Sequence, residues 1–167
     1  GGLAPDLDVL ISSSEDPLLF LEYHRQFTHS LIFIPFGSLL VSLFCWKLFK
    51  HGLNFKEVYL FCFLGYATHG LLDACTTYGT LLLWPFSDTR FAWNNISIID
   101  PLLTLPMLTF VILSITRKTN FFSRVAVIWV VLYLTVGLIQ RERAIEAGYE
   151  IASSRAHQPT RLEAKPS

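Results

Sequence analysis

The stretch VAVIWVVLYLTVGLIQ, Val125–Gln140, runs sixteen residues without a formal charge, and its reading decides the fold class. Outward from it the same pattern recurs three times. The 21 residues between Arg25 and Lys47 carry no formal charge, the 30 between Glu57 and Asp88 carry only Asp73, and the 26 between Arg90 and Arg117 carry only Asp100. A bilayer core of about 30 Å takes ~20 helical residues at 1.5 Å rise. Four such runs in 167 residues, 52% hydrophobic and 16% charged, exclude an ordinary soluble domain, a disordered chain and a nucleic-acid binder. The expected fold is all-α: a polytopic transmembrane helical bundle with four membrane helices and a polar C-terminal helix and tail.

The helices are expected over about Leu31–Phe49, Glu57–Cys75, Ile96–Ile115 and Val125–Gln140. Residues 1–140 form the transmembrane domain and residues 141–167 a polar tail leading toward a further region. With Gly1-Gly2-Leu3 at its start and no initiator Met, the chain reads as a piece of a longer protein. Cys45, Cys62 and Cys75 sit in or at the ends of apolar runs without paired short spacing, and read as small buried residues rather than a disulfide framework or thiolate zinc site.

Short connections make the helices alternate in direction. The turns Lys47–Glu57 and Arg117–Arg124 then share one side of the membrane and hold six Lys/Arg; the two segments preceding the tail on the other side hold only Arg25 and Arg90. The positive-inside bias places the turns in the cytoplasm and the other face on the periplasmic or external side. On that outer face fall Asp6, Asp8, His24, Arg25, Thr28, His29, His69, Asp73, Arg90 and Asp100. Ionisable residues inside membrane spans are costly, and the gathering of these at one level points to a site.

His69 and Asp73 are four apart and share one helical face, a spacing that lets both bind one ion or lets the carboxylate orient the imidazole. His24 and His29 add imidazoles, and Asp6 or Asp8 a carboxylate. A His/Asp set with little thiolate suits Zn²⁺ or another borderline divalent ion. Arg25, Arg90, Thr28, Ser30 and Thr77 are placed to hold phosphate oxygens. Plainer readings stand beside these. His69 alone fits an interhelical hydrogen bond, Asp6 and Asp8 after Pro5 fit a turn, and Asp100 before Pro101 fits a helix N-cap. Trp84 and Trp93 fit interface anchors, and His51 and His157 a loop and a tail residue.

Four strings in order carry a family resemblance: Ala4-Pro5-Asp6-Leu7-Asp8-Val9-Leu10, His24-Arg25-Gln26-Phe27-Thr28-His29-Ser30, His69-Gly70-Leu71-Leu72-Asp73 and Thr76-Thr77-Tyr78-Gly79. Over about Gly1 to Trp93 the chain resembles the bacterial YdjM-like family of membrane-bound, metal-dependent hydrolases. The resemblance implies a multi-pass inner-membrane protein with a hydrolase-type metal site at Asp6, Asp8, His24, Arg25, His29, His69 and Asp73. Gln26 stands where the family usually has glycine.

The expectation is therefore a metal-dependent hydrolase at the membrane surface, acting on an ester or phosphoester of a lipid-linked substrate. His24, His29, His69, Asp73 and Asp6 hold the metal, Asp8 serves as general base, and Arg25 or Arg90 neutralises the developing oxyanion. The alternative is a non-catalytic transporter or assembly factor using the same cluster for protons or cations.

Overall fold

A computed structural model of the chain describes residues 1–11, 16, 24–49 and 52–166. Lys50 and His51, read above as part of a basic turn and as a loop residue, lie outside the described residues. The described elements are helical, and β pairing among them is limited to an isolated antiparallel bridge between Thr80 and Phe91. The chain divides into two compact units, Gly1–Ala74 with Tyr78–Trp93, and Cys75–Thr77 with Asn94–Ser167.

The first unit opens with a 3₁₀ turn, Pro5–Leu10, followed by a second, Phe27–His29, and then helices α1 (Ile34–Phe49) and α2 (Phe55–Ala74). Asn54 and Glu57 start α2 with a reciprocal capping box: the Asn54 amide donates to Glu57 Oε2 at 2.8 Å and the Glu57 amide to Asn54 Oδ1 at 3.0 Å. One helical stripe is buried on each helix: Ile34, Ser38 and Ser42 on α1, and Val58, Cys62, Tyr66 and Gly70 on α2. The stripes repeat every four residues, the period of one helix face. Small residues on α1 admit the bulk of α2. A Cβ on Gly37 would lie 2.5 Å from the Tyr66 ring, so glycine is what lets that ring lie against the helix backbone.

The second unit pairs α3 (Pro101–Arg117) with α4 (Asn120–Ser154). The third helix starts at Pro101 rather than near Ile96, because Asp100 caps it: its carboxylate accepts from the Leu103 amide at 3.2 Å and proline takes the first helical position. Tyr133 of α4 donates to the same carboxylate at 2.9 Å, pinning the two helices. Lys118, at φ 50°, ends α3, and the Thr119 hydroxyl accepts from the Phe121 amide at 3.3 Å to begin α4. The basic turn expected over Arg117–Arg124 thus shrinks to two residues, and Arg124 lies within α4. Cys75, Ile96 and Leu103 pack with Trp129, Val130, Tyr133 and Leu134.

At 35 residues, about 52 Å at 1.5 Å per residue, α4 is long and apolar enough to cross a bilayer. Among the described helices it is the one that combines both properties. The apolar helices α1 and α3 have 16 and 17 residues, and the 20-residue α2 carries Lys56, Glu57, His69 and Asp73. Along α4, Val127, Ile128, Val131, Leu132, Val136, Leu138 and Ile139 are 45–64% exposed. A face so apolar calls for an apolar surrounding.

Candidate metal centre

The last two turns of α2 present His69 and Asp73 on one face, with His69 Nε2 3.3 Å from Asp73 Oδ2. The second 3₁₀ turn lays His29 against them. Gly70 makes that approach possible, since a Cβ there would stand 3.0 Å from the His29 carbonyl oxygen. His29 Nε2 lies 3.2 Å from His69 Nε2 and 3.0 Å from Asp73 Oδ2. From the first 3₁₀ turn, Asp6 Oδ1 comes within 3.5 Å of His29 Nε2 and 3.3 Å of His69 Nε2. All four atoms lie within 4.8 Å of one another.

Five of the six separations in this quartet fall between 3.0 and 3.5 Å. A tetrahedral ion bound at 2.0–2.1 Å needs donors about 3.3–3.4 Å apart. Five edges are therefore near that length, with Asp6 and Asp73 within 4.8 Å of each other, and the group could hold a metal ion.

Proton placement agrees with this. The Thr28 hydroxyl donates its one proton to Asp8 Oδ2 at 2.8 Å, so at its 3.0 Å contact with His29 Nδ1 it is the acceptor. His29 then carries its proton on Nδ1 and directs the Nε2 lone pair at His69, Asp73 and Asp6. This is the arrangement by which a partner on one ring nitrogen fixes the other as ligand. His29 is 1% exposed, and the side chain of Asp8 is fully buried.

Asp8 is the hub of a second layer. Its carboxylate takes the Thr28 hydroxyl, the Arg25 amide at 2.9 Å and His24 Nδ1 at 2.9 Å. His24 thus sits on Asp8, outside the four-donor quartet. Arg25, at φ 59°, adopts the left-handed backbone that side chains disfavour. That turn delivers its Nε to 3.3 Å from Asp73 Oδ2. Gln26, at φ −97°, sits in a backbone conformation that accepts a side chain.

Arg25 and Arg90 both lie over the Tyr78 ring, at 5.1 and 4.9 Å from its centroid. Arg90 also donates to the Gly79 carbonyl at 3.2 Å. Ser30 is buried and donates to the Phe27 carbonyl at 2.7 Å, closing the 3₁₀ turn. Thr77 belongs to the second unit, where Asp100 serves as the cap described above. Asp6, Asp8 and Asp73 against Arg25 and Arg90 leave the site an acidic excess of one with neutral imidazoles, a balance that favours a cation. Tyr78 and Gly70 had no role in the sequence reading. Their signal was present, as both stand inside the strings quoted above.

The family model described as YdjM inner membrane protein matches residues 1–144. The chain is 30% identical over 101 residues to protein YfhP of Bacillus subtilis, covering 60% of this chain and 30% of that protein. It is 36% identical over 100 residues to inner membrane protein YbcI of Escherichia coli, covering 58% of this chain and 57% of that protein. The chain therefore spans about a third and just over half of the lengths of these two relatives. No solved structure matches.

Proposed function

Because the chain belongs to the YdjM inner membrane protein family, we propose that it is a multi-pass, metal-dependent hydrolase with its site at the periplasmic interface of the inner membrane. The observation that carries this reading is the quartet of Asp6, His29, His69 and Asp73, whose ligand atoms lie within 4.8 Å of one another, five of the six separations being 3.0–3.5 Å. Two imidazoles with two carboxylates suit Zn²⁺. A divalent ion held there supplies Lewis acidity and a nucleophilic water at neutral pH.

The chain's own residues supply the rest. Asp8 and Thr28 hold His29 in its ligating tautomer, and Asp8 also orients His24. With three hydrogen bonds to its buried carboxylate, Asp8 is a positioning residue rather than a base. Asp6, whose side chain is 40% exposed, is the carboxylate through which a proton reaches solvent. Arg25 and Arg90, gathered on Tyr78, offer planar forks to a phosphoester's oxygens. The hydroxyls of Thr28 and Ser30 are engaged within the protein and shape the site. A lipid-linked phosphoester fits a site at headgroup level.

The test is elemental analysis of the detergent-purified protein. The expected result is one divalent ion per chain in wild type, lost in His69→Ala and Asp73→Asn. Hydrolysis of a lipid-linked phosphodiester should then require the ion and fall in Arg90→Ala. Wild-type protein without metal above background ends this reading.

A further inference from the structure

A groove opens on the surface of the first unit between its first 3₁₀ turn and α1. Ala4, Leu7 and Ile11 form one wall, Phe33, Leu40 and Val41 the other, and Gly37 and Tyr66 complete it. Two local periods build these walls. Ala4 and Leu7 are three apart, as are Asp8 and Ile11, which is the repeat of a 3₁₀ turn. Phe33, Gly37, Leu40 and Val41 follow one face of α1, where the Gly37 amide donates to the Phe33 carbonyl at 2.8 Å. Glycine leaves that face without a side chain at its middle.

The lining is almost wholly apolar. Asp8 and Thr28 border the groove, but the Asp8 side chain is fully buried and its oxygens take three donors, one of them the Thr28 hydroxyl. On the open side Leu7 and Leu40 are 61% and 64% exposed, and the same apolar surface continues along α1 through Phe36, Leu43 and Phe44. In a member of an inner-membrane family, so apolar and uncovered a helix face belongs against hydrocarbon. The groove is thus a furrow in a lipid-facing surface. It holds about 260 Å³, less than the roughly 300 Å³ at which pockets for whole drug-sized ligands begin, and so suits one chain rather than a headgroup. Its α1 wall runs about 12 Å from Phe33 to Val41 at 1.5 Å per residue. Both walls lead to the candidate metal centre: Asp6 precedes Leu7 on the turn, and His29 stands four residues before Phe33.

We propose that this groove seats one acyl chain of a phospholipid substrate whose phosphoester lies at the metal centre. What becomes of that lipid rests on the hydrolase reading given above. Bilayer hydrocarbon is as apolar as the lining, so the chain gains little by leaving it. The groove supplies register instead, holding the phosphoester against the centre. Its loss is therefore felt in kcat more than in KM.

The experiment places the full chain in lipid nanodiscs doped with phosphatidylglycerol that carries a mid-chain diazirine, and maps the photolabel by peptide. Label should concentrate at Leu7, Ile11 and Val41 over Leu105 and Leu108, exposed apolar residues of α3. Val41→Trp fills the groove and should bring that labelling down to the α3 level. Leu40→Trp, at an exposed position, should do the same even if Val41→Trp impairs folding. With metal content unchanged, Leu40→Trp should also lower kcat for the unmodified lipid. Even labelling of α1 and α3, or full labelling of both variants, overturns the groove; undiminished kcat in Leu40→Trp overturns the assignment of its occupant as substrate. Labelling needs neither ion nor turnover. Even labelling of metal-loaded protein therefore removes the groove and spares the hydrolase reading, and focused labelling of a protein that holds no metal does the reverse.

Discussion

Replacing Thr28 by valine keeps the shape of the side chain and deletes one hydroxyl. That hydroxyl joins Asp8 Oδ2 at 2.8 Å to His29 Nδ1 at 3.0 Å. Asp8 is buried and would keep His24 and the Arg25 amide as donors, losing one of three. A hydrogen bond to a charged group contributes about 1.5–3 kcal/mol, so Thr28→Val should lower unfolding stability by an amount in that range. The effect on metal is separate. Without its acceptor at Thr28, His29 Nδ1 keeps only a 3.5 Å contact with Asp8 Oδ2, and its ring loses the partner that fixes its tautomer. Loss of such a supporting contact weakens metal binding about 10- to 100-fold. The assay is competition against a chelator of known affinity, with unfolding followed on the same samples. Thr28→Ser, which retains the hydroxyl, should recover metal affinity. Wild-type metal affinity in Thr28→Val would refute the assigned tautomer and the layer built on Asp8.

Three other perturbations bear on the fold and the site. Gly37→Ala should destabilise the first unit by about 1–3 kcal/mol through overpacking, since its Cβ would lie 2.5 Å from the Tyr66 ring; denaturant unfolding measures it. Asp100→Ala removes the cap of α3 and the acceptor of Tyr133, and should cost about 1 kcal/mol or more; Asp100→Asn, still able to cap, should cost less in the same measurement. Because ligating imidazoles must be neutral, dialysis at about pH 5 should release the metal and return to neutral pH with added Zn²⁺ should restore it. Metal retained through acidification would count against imidazole ligation.

Much of this protein was legible along the chain because the relevant physics is local. Charge-free runs report a helix that must sit among apolar neighbours, and α4 carries its run uncovered. The His69–Asp73 spacing needs only the pitch of α2, and Asp100 before Pro101 declares a cap whatever surrounds it. Helix ends were less legible: capped by Thr119, α4 begins at Asn120, five residues before the uncharged run, because capping, not hydropathy, sets where a helix starts. Tertiary structure alone decided which of two neighbouring carboxylates does what. Asp6 and Asp8 are two apart in a turn of three residues per revolution, so they point in different directions. One reaches the imidazoles of His29 and His69, and the other is buried beneath His24, Arg25 and Thr28. It also decided that His24 stands on Asp8 and that Arg25 and Arg90 share Tyr78. No spacing rule reaches across the tens of residues that separate these groups; only packing brings them together.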